Sequence, residues 1–195
     1  DDAIFQYFDD FLDLLEEFIA FDSKPELQIK NLITQNFEIL FHFIRASNNS
    51  IAFEKYHETY LIYKQYFTDY QAHAKILQYI GYIFWLQQNI KKSIIVLEQS
   101  LHMANKYCDK DVIPGRYTNL GYIYECSGDF DKAQYYYQQG LDFAKDNNSE
   151  EALKFAYDAM GRLFFGRKLY QKAILYFEES NKLYHDYKHL DKVSV

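Results

Sequence analysis

The sequence predicts an all-α fold, a solenoid of antiparallel helix pairs with about nine helices and no strands. Three observations carry this expectation. A glycine recurs every 40 residues, at Gly81, Gly121 and Gly161, each inside an apolar segment such as Tyr79-Ile80-Gly81-Tyr82-Ile83-Phe84. A fixed period of this length marks a stacked array. Twelve residues after each glycine comes a small residue (Ser93, Ala133, Ala173), four further a large apolar one (Leu97, Tyr137, Phe177), and three further a small one again (Ser100, Gly140, Ser180). Spacings of three and four put these residues on one stripe of a helix. Small residues there let two helices approach closely, and large ones fill the space between neighbours. Finally, Pro and Gly are scarce, 2 and 7 in 195 residues, which disfavours a loop-rich or turn-rich fold.

The elements follow in order. Residues 1–22 form an N-terminal capping or linker helix, since Ile4, Phe5, Phe8, Phe11, Leu12, Leu15, Phe18 and Ile19 make one apolar face. Residues 23–69 form a degenerate helix pair, opened by the capping box Ser23-Lys24-Pro25-Glu26. Here Phe41 replaces the glycine, Phe37, Leu40 and Ile44 keep the apolar spacing, and Ala52, Tyr56 and Thr59 follow one residue early after Ser47-Asn48-Asn49-Ser50. Three regular pairs span 70–109, 110–148 and 149–190, with turns near Gln88-Asn89, Ser127-Gly128-Asp129 and Arg167-Lys168. Glu150 and Glu151 after Ser149 suit a helix N-terminus electrostatically. All five segments read as one solenoid domain. The start at Asp1 without Met and the end at Ser194-Val195 read as a fragment of a longer protein.

Composition narrows the function classes. The formal charge is −7 and no dense Lys/Arg cluster is present, which argues against direct nucleic-acid contact by this segment. No apolar run reaches the roughly 18–20 residues of a membrane span. Cys108 and Cys126 match no metal-ligand spacing and read as thiols of a reducing cytoplasm. The six histidines are scattered, and there is no phosphate-binding glycine loop or nucleophile elbow. The expectation is therefore no catalytic residue, no metal, no cofactor and no enzymatic activity.

The unit Tyr117-Thr118-Asn119-Leu120-Gly121-Tyr122-Ile123-Tyr124, continued by Gly128-Asp129-Phe130-Asp131-Lys132-Ala133 and Tyr137, resembles the tetratricopeptide repeat (TPR). The usual period is about 34 residues, so these repeats are longer, and Asn105, Lys145 and His185 stand where the family places a closing proline. The resemblance implies a right-handed superhelix whose concave groove is lined by the first helix of each pair. It places the inner positions six, three and two residues before the glycine and one, four and five after it. Counted that way, the partner-binding candidates are Gln78, Tyr82 and Trp85; Asn119, Tyr122 and Glu125; Asp158, Arg162 and Phe165; and Arg45 in the degenerate unit. Tyr79, Gly115, Thr118, Phe155, Ala159 and His42 share the same face.

This mixture of amides and aromatics suits an extended peptide, and Arg45 or Arg162 suits a carboxylate. The chaperone-tail clamp of Lys and Asn is not matched: Gln78 and Tyr82 occupy its places and Asn119 alone fits. Long repeats, many aromatics and acidic charge resemble the TPR regions of bacterial peptide-sensing regulators. By that resemblance the chain is a protein- or peptide-binding module, the regulatory part of a larger signalling or transcription-regulating protein in the cytoplasm. The alternative is a constitutive scaffold or oligomerisation array, with a homodimer as the partner.

Overall fold

The computed structural model describes residues 2–21, 25–108 and 110–190. Nine α-helices and two short 3-10 turns account for most of them, and no strand occurs among the described residues. The helices are α1 (Asp2–Phe21), α2 (Leu27–Ser47), α3 (Ser50–Tyr63), α4 (Tyr70–Leu86), α5 (Ile90–Tyr107), α6 (Ile113–Cys126), α7 (Phe130–Asp146), α8 (Glu150–Gly166) and α9 (Tyr170–Leu190). They fall into two compact units, Asp1–Val96 and Leu97–Val195, with the boundary inside α5.

The 40-residue period is written most strictly into the backbone turns. Asn48, Gln88, Gly128 and Lys168, spaced 40 apart, all adopt positive φ, between 50° and 82°. Each terminates the first helix of a pair in the same way. In the α6–α7 pair, Gly128 N–H donates to Glu125 C=O and Asp129 N–H to Tyr124 C=O. The same two bonds recur at Asn48/Asn49, Gln88/Asn89 and Lys168/Leu169. This is the Schellman motif, which satisfies the last carbonyls of the helix. The next residue then opens the second helix. Asn49, Asn89 and Asp129 accept through their side chains from the N–H of Ala52, Lys92 and Lys132, which satisfies one of the free donors of a helix start. Leu169 breaks this pattern, having no side-chain acceptor.

In the second unit the glycines act as packing residues. A Cβ on Gly121 would stand 2.6 Å from the Tyr137 ring and 3.2 Å from the Ala133 carbonyl oxygen. One on Gly161 would stand 2.5 Å from the Phe177 ring. Ala133 and Ala173 are buried where the second helix crosses. Helices α6 and α7, α8 and α9, and α7 and α8 pack directly on one another.

The first unit solves the same problem with rings. The Asn48 turn keeps the strict period, so Phe53 and Tyr60, not Ala52 and Thr59, stand where the regular pairs have small residues. The one-residue offset expected from the sequence is therefore corrected: the register is unbroken and only the residue sizes change. Phe41 packs edge-on against Phe53 at 6.2 Å and Tyr60 at 5.6 Å. Aromatic edge-to-face pairs at such distances are favourable beyond their area burial. Phe37, Phe67 and His73 continue the cluster.

Helix α1 docks on this unit. Phe8 and Leu15 are buried, and Phe5 stacks on Tyr56 at 5.8 Å. Tyr56 Oη donates to Asp9 at 3.0 Å, and Lys55 pairs with the same carboxylate at 2.6 Å. Helix α2 begins at Leu27 with Glu26 as its N-cap and no side-chain capping bond. Ser23 and Lys24 of the expected capping box lie outside the described residues.

Two expectations follow for stability. Gly121→Ala forces the Tyr137 ring or the Ala133 backbone to move and lowers unfolding free energy by about 1–3 kcal/mol. Gly115→Ala, in a helix with nothing within 4 Å of the added methyl, raises it by about 0.5–1 kcal/mol. Denaturant titration of both variants checks the contrast. The second concerns acid. His73 Nε2 lies 2.9 Å from Tyr60 Oη, and burial lowers its pKa from 6.5 to about 4, with the nearby Lys64 charge adding to the shift. Burial lowers His57 as well. The unfolded chain takes up a proton that the folded chain refuses, so this part of the stability is full above pH 6.5 and is lost as pH falls towards about 4. His73→Gln should therefore lose less Tm than the parent between about pH 7 and pH 5, measured by circular dichroism.

Candidate functional site

The ten candidate residues lie on the first helices of the pairs, and the two units are described in turn. In the first unit the candidates come from α2 and α4. Arg45 sits in the last turn of α2. Its guanidinium carbon is 5.3 Å from the centre of the Tyr79 ring and 5.9 Å from that of Tyr82. Attraction between the cation and the ring faces holds the group against α4. His42 meets Tyr79 edge-on at 5.4 Å, and Tyr82 meets Trp85 at 5.1 Å. Tyr82 keeps 37% of its surface exposed. Gln78 is half-buried, and Lys75 pairs with Glu38 at 3.2 Å. The helical spacing explains the cluster: residues 42 and 45 share a stripe of α2, and 75, 78, 79 and 82 share one of α4.

In the second unit α6 and α8 supply the face. Their N-terminal halves border an open cavity of about 790 Å³, lined by Asp111, Pro114, Gly115, Thr118, Asn119, Asn148, Ser149, Glu150, Glu151, Ala152 and Phe155. The exposed Asn119 amide has no side-chain partner among the described residues. Thr118 turns its hydroxyl back to Pro114 C=O at 3.0 Å. Phe155 is 51% exposed. The remaining candidates lie towards the C-terminal ends of α6 and α8. Tyr122 and Phe165 are exposed, Phe165 leaning on Tyr170 at 5.6 Å. Three candidate charges, Glu125, Asp158 and Arg162, are engaged within the chain. Glu125 accepts from Tyr137 Oη at 2.7 Å, and Arg162 forms an ion pair with Asp158 one turn away. Burial and the Glu125 carboxylate together hold the Tyr137 hydroxyl well above its ordinary pKa, so it stays a donor.

Counting from the glycines thus finds exposed or half-buried positions throughout, with one failure: Ala159 is fully buried. The count missed Asn148, Ser149, Glu150 and Glu151, because it runs along helix faces and these belong to a helix start. The available signal was the Asn147-Asn148-Ser149 run, a turn composition; Asn148 indeed has φ 51°. Among the described residues no group of three or more His, Cys, Asp or Glu is placed to hold a metal ion, and no helix is long and apolar enough to cross a membrane.

No protein-family profile and no curated protein matches this chain. Solved structures do. A signal transduction ATPase with numerous domains (STAND) protein with a tetratricopeptide repeat sensor, from Pyrococcus horikoshii, superposes with a TM-score of 0.73 at 18% identity. The match covers 82% of this chain and 25% of that one, so this chain spans a quarter of the ATPase. BtubC (BKLC) from P. vanneervenii gives a TM-score of 0.68 at 14% identity, over 88% of this chain and 68% of that one. MamA gives 0.51 at 18% identity, over 85% and 99%.

Proposed function

The helix pairs, their turns and these likenesses establish an all-α, TPR-like solenoid fold, and on that fold we propose that the chain is a protein- or peptide-binding module. Its ligand lies against the first helices α6 and α8 of the second unit. The carrying observation is the open cavity between the starts of α6 and α8, where the unpartnered Asn119 amide and the exposed Phe155 ring face the same space. An extended peptide needs that pairing: amides for its backbone, rings for its side chains. The chain is the regulatory part of a larger signalling or transcription-regulating protein of the cytoplasm, and performs no chemistry itself. The sensor repeat of the similar ATPase, a quarter of whose length this chain spans, supports the idea of a sensing segment within a longer protein. Peptide binding would shift a population between two arrangements of the helices.

Isothermal titration with a pooled hexapeptide library should show binding, and Asn119→Ala should weaken it by about two- to tenfold, the worth of one or two neutral hydrogen bonds. Absence of binding, or binding indifferent to Asn119, would sink this reading.

A second reading, a constitutive scaffold that pairs with its own copy, is favoured by one observation. The second helices of the second unit expose Tyr135, Tyr170, Ile174 and Leu175, each by more than half its surface. Under this reading light scattering across a concentration range shows a dimer that peptide leaves unchanged, and Leu175→Lys shifts it to monomer.

A further inference from the structure

The four turns between the helices of a pair share one backbone, and one of them departs in its side chains. Asn49, Asn89 and Asp129 each cap the second helix through a side-chain oxygen. Leu169 holds the fourth of these places and is 42% exposed. A leucine offers no acceptor, so the chain forgoes a cap there and shows an apolar side chain to solvent. A break in a local rule without a gain in packing marks a place where function has been put before stability. Leu169 does not stand alone. Phe165 and Tyr170 are 60% and 53% exposed, with their rings edge-on at 5.6 Å. Every residue from Phe165 to Lys172 is exposed, so the α8–α9 turn is a protruding tip and not a groove.

The charge of this tip is opposite to that of the chain. Residues 159–177 hold no Asp or Glu but include Arg162, Arg167, Lys168 and Lys172, although the whole chain carries −7. The same stretch of the α6–α7 pair holds Glu125, Asp129 and Asp131. Arg162 is taken by Asp158, and Arg167 reaches Gln134 and stands 3.9 Å from Asp131. Glu179, further along α9, is held by Lys182. Lys168 and Lys172 pair with no carboxylate among the described residues. Lys172 lies along the chain, its ammonium 5.5 Å from the centre of the Phe164 ring. Lysines whose heads stay in water, beside exposed rings and an aliphatic side chain, make the composition of a membrane interface. We propose that the α8–α9 turn docks the chain on an anionic lipid surface. Phe165, Leu169 and Tyr170 enter the headgroup layer, and Lys168 and Lys172 meet lipid phosphates. The contact is peripheral and reversible, far weaker than a spanning helix. A second copy seated on the tip would set lysine against lysine. The cavity borders the start of α8 and the tip its end, about 25 Å away for 17 residues at about 1.5 Å each, so a docked chain leaves the cavity open. This goes beyond the peptide-binding reading and does not depend on it.

Flotation of the full chain with vesicles of phosphatidylcholine, with and without phosphatidylglycerol, tests this. The anionic vesicles should take up the chain at least about tenfold better than the neutral ones, and added salt should release it. Lys168→Gln combined with Lys172→Gln should lower the uptake by about tenfold or more. Lys91→Gln combined with Lys92→Gln, the same change of charge at the start of α5, should leave it as it is. Leu169→Asp separates docking from folding. It restores the kind of cap that Asp129 provides, so Tm should hold or rise, while uptake by anionic vesicles should fall by about tenfold or more. Equal uptake by both kinds of vesicle, or by neither, overturns the proposal. A loss from the Lys91/Lys92 change as large as from the tip lysines overturns it too, because the attraction is then diffuse. So does a Leu169→Asp chain that binds as the parent does, because charge alone then holds the chain. Uptake by neither vesicle together with lysine-dependent binding to polyglutamate assigns the tip to an acidic protein instead.

Discussion

The structure depends on how closely the two helices of a pair can approach. In the second unit the limit is set by a glycine beneath an aromatic ring, Gly121 under Tyr137 and Gly161 under Phe177. There is no room for even one methyl. This contact fixes the separation of the pair, and the separation fixes which residues of the first helix remain on the surface. Tyr137 shows the coupling directly. Its ring lies on Gly121 while its hydroxyl donates to Glu125, so the residue that holds the pair together also removes a carboxylate from the exposed face.

The first unit shows that the constraint is on geometry and not on residue type. Phe41, Phe53 and Tyr60 occupy positions where the regular pairs have small residues, and the pair is held through ring edges in place of close backbone contact. Burying so many rings brings His57 and His73 into a dry environment, where the neutral imidazole is the stable form. Acid sensitivity here is thus a by-product of aromatic packing.

The fold was legible in the sequence because the spacing of small and large residues is a direct image of helix contact. The three regular turns were found for the same reason. What misled was the assumption that a size pattern and a register move together: in residues 50–63 the sizes changed and the register did not. The site was legible only in part. A count of exposed positions cannot reveal that Asp158 sits where Arg162 will close on it, or that Glu125 will be drawn to Tyr137, since both depend on rotamers and on a second helix. Nor does it reach the start of α8, where the cavity wall turns from a helix face to a turn. That Arg45 rests against the Tyr79 and Tyr82 rings likewise depends on a second helix, which a count along one face does not include.

The left-handed turn residues have a bearing on how such a chain can be built and altered. Asn48, Gln88, Gly128 and Lys168 share a conformation but not a chemistry. The turn's backbone bonds make no demand on the side chain beyond tolerance of positive φ, so sequence drift is permitted there while length is not. A segment running from one such turn to the next begins and ends in the same backbone state. Blocks cut at these points are interchangeable at their joins, so the natural unit of duplication, deletion or grafting in this chain runs from turn to turn and not from glycine to glycine.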